Sequence, residues 1–296
     1  MFFGTPAFAR AVLEIVMESH QVLAIVTQPD RPFGRKQELK ISEVKDLALS
    51  HQIPLFQPER LDEQVLRELK AFEADFFLVV AFGQIFPKFF LQSHLCINIH
   101  ASILPQFRGA SPLQEMILQD RKKFGVTAMK MEEGLDCGEI LGMSILQTQE
   151  DLDLCELSSK MAKMGGNLAV NLFKNFELLA PLKQRDCEAS LCQKIKKERG
   201  EISFQKAREI FVKFLAFMPW PGVFLSNGLK LLKLELNSTL GIYQEGEILK
   251  IEKDYVLLGC KEGSLRLYEV QPPSRQKMPV LDYMRGKHLR LGDIFC

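Results

Sequence analysis

The 296 residues are 47% hydrophobic and 25% charged, an ordinary globular balance that argues against disorder, and the length exceeds what one core usually fills, so two domains are expected. The longest apolar runs, such as residues 76 to 82, fall far short of the roughly 20 residues a membrane-spanning helix needs, and no basic segment precedes an apolar one at the amino end. Net charge is only +1, but from Lys194 onward 18 Lys and Arg stand against 12 Asp and Glu, a surplus that suits either a polyanionic partner or a solvated surface.

In chain order, Met1 to Phe3 reads as a short strand, Gly4-Thr5-Pro6 as a turn and residues 7 to 18 as a helix. No GxGxxG follows, which removes the main support for a dinucleotide-dependent oxidoreductase. Residues 21 to 26 are an apolar strand candidate. Residues 28 to 42 form a polar loop with Arg31, Arg35, Lys36 and Lys40 among Pro29, Pro32 and Gly34. A helix is expected over 43 to 51, an extended piece over 55 to 57, and a helix over 63 to 73 capped by Asp62. The run Phe76 to Phe82 is continuously apolar between Asp75 and Gly83, as in a central parallel strand buried on both faces. Helix and strand alternate from the start, which indicates a doubly wound α/β sheet.

Asn98 and His100 close another apolar run, Leu95 to Ile97. Strand side chains repeat every two residues, so the carboxamide and the imidazole share a face. The backbone beyond, punctuated by Pro105, Gly109 and Pro112, reads as a loop over the strand end, where α/β proteins hold ligands. Residues 112 to 120 are expected as a helix. Extended segments at 124 to 131 and 140 to 146 flank a tight loop in which Asp136 lies between Gly134 and Gly138. Asn, His and Asp within reach of one another supply an oxyanion donor, a proton carrier and a carboxylate that orients and charges the imidazole.

Residues 151 to 179 are expected as two helices broken at Gly165-Gly166, residues 180 to 200 as a polar linker, and residues 202 to 217 as an amphipathic helix ended by Pro219-Trp220-Pro221-Gly222. Five short runs follow at the spacing of a small β-barrel, then a short helix near residues 281 to 285. The seven cysteines, at 96, 137, 155, 187, 192, 260 and 296, never form CxxC and read as reduced thiols of a cytoplasmic protein. Cys137, with no dedicated histidine, reads as a packing residue. The five histidines, at 20, 51, 94, 100 and 288, lack ligand spacing, so no metal is expected.

The run Asn98-x-His100-x-Ser102-Ile103-Leu104-Pro105, its continuation Arg108-Gly109-Ala110-Ser111-Pro112 and the Gly134-Leu135-Asp136-x-Gly138 loop resemble the formyltransferases that use 10-formyltetrahydrofolate. Phe3-Gly4-Thr5-Pro6-x-Phe8-Ala9, Gln28-Pro29-Asp30-Arg31-Pro32-x-Gly34-Arg35 and Met218-Pro219-Trp220-Pro221-Gly222 are similar to the branch that formylates initiator methionyl-tRNA. The resemblance implies a Rossmann-like catalytic domain over 1–179, a linker over 180–200 and an OB-like tRNA-binding barrel over 201–296. It implies transfer of the formyl group of 10-formyltetrahydrofolate to the α-amine of initiator methionyl-tRNA, for translation initiation, with no metal and no protein partner. Asn98 would donate to the oxyanion with protonated His100 assisting, and Asp136 would orient His100 and relay the amine proton. Ser102, Ile103, Leu104 and Pro105, with Phe82, Gly83, Gln84 and Ile85, would hold the folate. Arg31, Arg35, Lys36, Lys194, Lys196 and Lys197 would meet the tRNA. Members of that branch begin a few residues earlier, so an upstream start is expected. Two other readings compete: a formyltransferase acting on sugar nucleotides, against which the basic loop and the Met218 to Gly222 junction speak, and a catalytically inert RNA-binding protein, against which the complete Asn98, His100 and Asp136 set speaks.

Overall fold

The computed structural model describes residues 1–33 and 38–295. It divides into two compact units, one of residues 1–112, 122–149 and 155–192, the other of residues 113–121, 150–154 and 193–296.

The first unit is built on a seven-stranded sheet. Its strands are β1 (Phe2–Gly4), β2 (Ile25–Val26), β3 (Leu55–Phe56), β4 (Phe76–Val80), β5 (Leu95–His100), β6 (Lys123–Lys130) and β7 (Ile140–Gln147). Their order is β7-β6-β5-β4-β1-β2-β3. The pairs from β3 through β5 are parallel, and β6 and β7 are added antiparallel. Strand order reverses between β1 and β4, so the carboxyl ends of these strands open a crevice of the kind that takes ligands in α/β sheets. The continuous apolar run at residues 76 to 80 is the central strand it was expected to be, buried from Phe77 to Val80.

Helices α1 (Ala7–Met17), α2 (Glu43–Ser50), α3 (Glu63–Lys70) and α4 (Lys88–Ser93) connect the parallel strands. α1 buries Ala9, Val12, Leu13 and Val16, the i, i+3, i+4, i+7 face of an amphipathic helix. Side chains of Ser42 and Asp62 cap α2 and α3 by accepting from the N–H groups of Lys45 and Val65, which supplies partners to donors that a helix start otherwise leaves unpaired. Within the polar loop after β2, Arg31 to Phe33 pair antiparallel with Glu38 to Lys40.

Helix α5 (Pro112–Leu118) precedes β6, and α6 (Leu154–Lys174) follows β7. Here the structure corrects the expected pair of helices: α6 runs unbroken through Gly165 and Gly166. The glycines serve packing instead. A Cβ on Gly165 would meet Ile99 Cγ2 at 2.8 Å, and one on Gly166 would meet Ile15 Cβ at 2.8 Å. The helix therefore lies closer to β5 and α1 than any side chain would allow, and that contact outweighs the helix propensity of about 1 kcal/mol per residue that glycine forfeits.

Residues 180 to 192, expected as linker, are tied to the first unit. Leu182 bridges Ile140, Leu191-Cys192 pair in parallel with Arg108-Gly109, and Cys192 is buried.

The second unit holds an antiparallel sheet of β8 (Val223–Phe224), β9 (Lys230–Ser238), β10 (Ile248–Ile251), β11 (Val256–Gly259), β12 (Ser264–Gln271) and β13 (Met278–Pro279). The order is β8-β9-β12-β11-β10, with β13 on β12. Among the described residues β8 and β10 do not pair with each other; chain segments occupy both edges instead. Glu201 bridges Phe224 on one side and Ile294 bridges Glu247 on the other, which blocks open-edge pairing with another chain. Because Glu201 and Lys206 serve in such bridges, the helix expected from residue 202 begins later, as α7 (Ala207–Phe217). α8 (Val280–Lys287) follows β13, and Ile210, Leu231, Leu234, Leu265, Leu267 and Met284 belong to the apolar core of this unit.

Candidate active site

β5 delivers Asn98 and His100 to the carboxyl edge of the sheet, Asn98 beside Val79 of β4 and His100 opposite Thr127 of β6. The loop that follows is tied down through Thr127. Its hydroxyl donates to the Ser102 carbonyl at 2.7 Å and accepts from Leu104 N–H at 3.2 Å, while the Ser102 hydroxyl donates to the Gln106 carbonyl at 2.7 Å. Leu104-Pro105 is cis and Phe107 has φ 61°. The Phe107 carbonyl lies 2.9 Å from His100 Nε2. A carbonyl only accepts, so Nε2 carries a proton and Nδ1 is the nitrogen left for chemistry.

Nδ1 faces Asp136. The loop between β6 and β7 puts Asp136 at φ 48°, with Oδ2 3.6 Å from His100 Nδ1 and 2.8 Å from the donating Gly109 N–H. Oδ1 lies 3.4 Å from Asn98 Nδ2, a contact long enough to leave the carboxamide donor available. The structure thus brings Asn98, His100 and Asp136 together. Gly138 is required by close approach, since a Cβ there would come within 1.9 Å of the Lys130 carbonyl.

Two groups beyond the expected site residues complete the arrangement. Gln184 donates from Nε2 to the carbonyls of Asp136 at 2.9 Å and Gly138 at 2.8 Å. Its Oε1 accepts from Nε and Nη2 of Arg108 at 3.0 and 2.9 Å, and Arg108, itself buried, also reaches Asp186 at 3.0 Å. Arg108 belongs to a recognisable motif, but a lone Gln in a polar stretch carries no local signal. Only its distance to the loop around Asp136 marks it.

The expected folate residues divide by where they face. Ser102 and Leu104 are buried, the former's hydroxyl engaged with Gln106. Ile103 packs on Gly125, where a Cβ would meet its Cγ1 at 2.7 Å, and Pro105 accepts from Ser190 N–H through its carbonyl. The Phe82 ring is buried in an edge-on contact with Phe3, centroids 5.6 Å apart, while its carbonyl accepts from Thr5 Oγ1 and Gln28 Nε2, each at 3.1 Å. Gly83 is exposed at φ 84°, Gln84 donates to the Pro58 carbonyl at 2.9 Å, and Ile85 is 91% exposed. Beside Gln28, Asp30 is held below the usual carboxylate range by Lys45, with help from Gln57.

Of the basic residues, Arg31 is exposed and pairs with Glu59 at 2.6 Å; Arg35 and Lys36 lie outside the described residues. Lys194, Lys196 and Lys197, in the second unit, are exposed, with no ion pair recorded to any described residue.

Residues 1–172 match the model of the formyl transferase family, which is more than half of the chain. The chain belongs to the formyl transferase family. Residues 194–288 match the C-terminal domain of formyl transferases. Among formyl transferases, the methionyl-tRNA formyltransferase of Wolinella succinogenes is 44% identical over 299 residues, covering 99% of this chain and 98% of that protein. Among solved structures, the N-formyltransferase of Helicobacter canadensis, in complex with folinic acid and dTDP-3-aminofucose, has a TM-score of 0.67 at 17% identity, covering 90% of this chain and 97% of that one. The methionyl-tRNA formyltransferase of Clostridium thermocellum has a TM-score of 0.55 at 19% identity, covering 80% and 92%. Asn98, His100 and Asp136 lie within the formyl transferase match, whereas Gln184 falls between the two matched stretches.

Proposed function

We propose that this chain transfers the formyl group of 10-formyltetrahydrofolate to the α-amine of initiator methionyl-tRNA, in the cytoplasm, at the start of translation. The observation that carries the acceptor is likeness over the whole chain to methionyl-tRNA formyltransferases, at 42 to 44% identity and 98 to 99% of their length. The likeness to sugar formyltransferases is 17% and speaks for the fold alone.

In this reading the neutral α-amine attacks the formyl carbon, forming a C–N bond and pushing the carbonyl electrons onto oxygen. Asn98 Nδ2 donates to that oxygen, and a proton on His100 Nδ1 adds positive charge beside it, which lowers the barrier because the charge develops only in the transition state. The amine's proton passes to Asp136. The intermediate collapses by breaking the bond from the formyl carbon to folate N10, and the Asp136–His100 pair returns the proton to that nitrogen. The folate lies along the loops at residues 82–85 and 102–105. The tRNA is met by Arg31, Arg35 and Lys36 and by Lys194, Lys196 and Lys197, cationic side chains of the kind that pair with phosphate. The segment assignments, catalytic over 1–179 and tRNA-binding over 201–296, belong to the same proposal.

The test is an acceptor competition. Given 10-formyltetrahydrofolate, the protein should formylate charged initiator tRNA and leave dTDP-amino sugars untouched. Formylation of the sugar in preference to the tRNA would reject the acceptor.

A further inference from the structure

Asp136 is a non-glycine residue at φ 48°, a backbone conformation that costs of order 1–3 kcal/mol unless the surroundings hold it. Its loop runs between two glycines, Gly134 and Gly138, which bring no side chain of their own to hold it. The carboxylate nevertheless has to sit within reach of Asn98 Nδ2 and His100 Nδ1 at once. Something outside the loop has to hold it.

The Gly109 N–H holds the carboxylate; the group that holds the backbone is Gln184. Its amide spans the turn, donating to the carbonyls of Asp136 and Gly138, the residues on either side of Cys137. The orientation of the amide follows from its partners: the two loop carbonyls only accept and the guanidinium only donates, so the nitrogen must face the loop and the oxygen must face Arg108. With two N–H groups given to two carbonyls and two N–H groups received from Arg108, the side chain is fully satisfied. Arg108 in turn is buried, and its guanidinium is positioned by Gln184 and Asp186. Arg108 and the Gly109 N–H that donates to Asp136 Oδ2 are consecutive, so one strand segment fixes both the carboxylate and the residue that clamps its backbone.

We infer that Gln184, braced by Arg108, is a positioning residue that sets the place of Asp136 in the reaction. The inference rests on the role given to Asp136 above and extends it to a residue beyond the catalytic segment 1–179. Geometry of this kind has large kinetic weight, because a displacement of about 1 Å at a reacting group can cost on the order of a hundredfold in rate.

The discriminating variant is Gln184→Glu. It keeps the shape and an acceptor for Arg108 but at neutral pH has no proton to give the two carbonyls. A role in anchoring Arg108 or filling space would survive it; the clamp would not. In the full chain, Gln184→Glu should lower kcat for methionyl-tRNA formylation by about ten- to hundredfold while both KM values stay within about twofold. The thermal midpoint should remain near wild type, and Gln184→Met should lose as much kcat. Added to Asp136→Ala, Gln184→Glu should cost no further rate in single turnover, because its effect passes through a carboxylate that is no longer present. Wild-type kcat in Gln184→Glu would overturn the inference, and so would a loss that adds in full to that of Asp136→Ala. Wild-type kcat in Asp136→Ala itself would instead remove the catalytic role of Asp136, and the clamp with it.

Discussion

Replacing Asn98 by alanine separates catalysis from stability more cleanly than any other change in the site. Among the described residues the carboxamide makes one hydrogen bond from its side chain, 3.4 Å to Asp136 Oδ1, at the long limit of such a bond. Asp136 keeps its stronger partner, Gly109 N–H at 2.8 Å. The variant should therefore lose no more than about 1 kcal/mol of stability, a thermal midpoint shift of about 2–4 °C for a chain of this size. Loss of the only oxyanion donor from that side chain should lower kcat by about 10²–10³-fold, or 2.7–4 kcal/mol of transition-state stabilisation. Single-turnover formylation of methionyl-tRNA, run beside a thermal melt and a tRNA-binding titration, reads all three quantities. Turnover within about threefold of wild type, with folding and binding intact, would refute the oxyanion role.

Gly166→Val should destabilise the first unit by about 1–3 kcal/mol through overpacking, since its Cβ would meet Ile15 Cβ at 2.8 Å; an unchanged urea midpoint would contradict the packing role of the glycine pair. Cys155 and Cys187 are exposed, whereas Cys96 and Cys260 are buried and burial pushes both thiols up to about 12, so alkylation at pH 8 should mark the first two and spare the second two until the chain unfolds. The same shift gives a pH dependence with a definite sign: the unfolded thiols ionise near 9 and the folded ones only near 12, so the folded state holds more protons and stability should fall as pH rises through that interval, less so in Cys96→Ala. Replacing Lys194, Lys196 and Lys197 together by alanine should weaken tRNA binding and flatten its salt dependence; an unchanged slope would take these lysines out of the interface.

What was readable from the sequence is what local rules govern. The run at 76 to 80 announces a buried parallel strand because all its side chains are apolar, and the two-residue spacing of Asn98 and His100 places both on one face before any packing is known. The capping role of Asp62 follows from its position alone. The misreadings arise where distant contacts override a local signal. Gly165-Gly166 looks like a helix break because propensity is local, yet the glycines are there to admit Ile99 and Ile15. Gln184 sits in a polar stretch that resembles a linker, and its partners Asp136 and Gly138 are 48 and 46 residues away; nothing within its own neighbourhood points to them.

A side-by-side single-turnover measurement with wild type and Asp136→Ala, using charged initiator tRNA and 10-formyltetrahydrofolate, tests most directly that Asp136 serves formyl transfer to the tRNA. Wild type should produce formyl-methionyl-tRNA, and the variant should bind the tRNA equally well while transferring the formyl group at least about a hundredfold more slowly. Equal transfer rates in the two proteins, or no transfer by wild type at all, would contradict it.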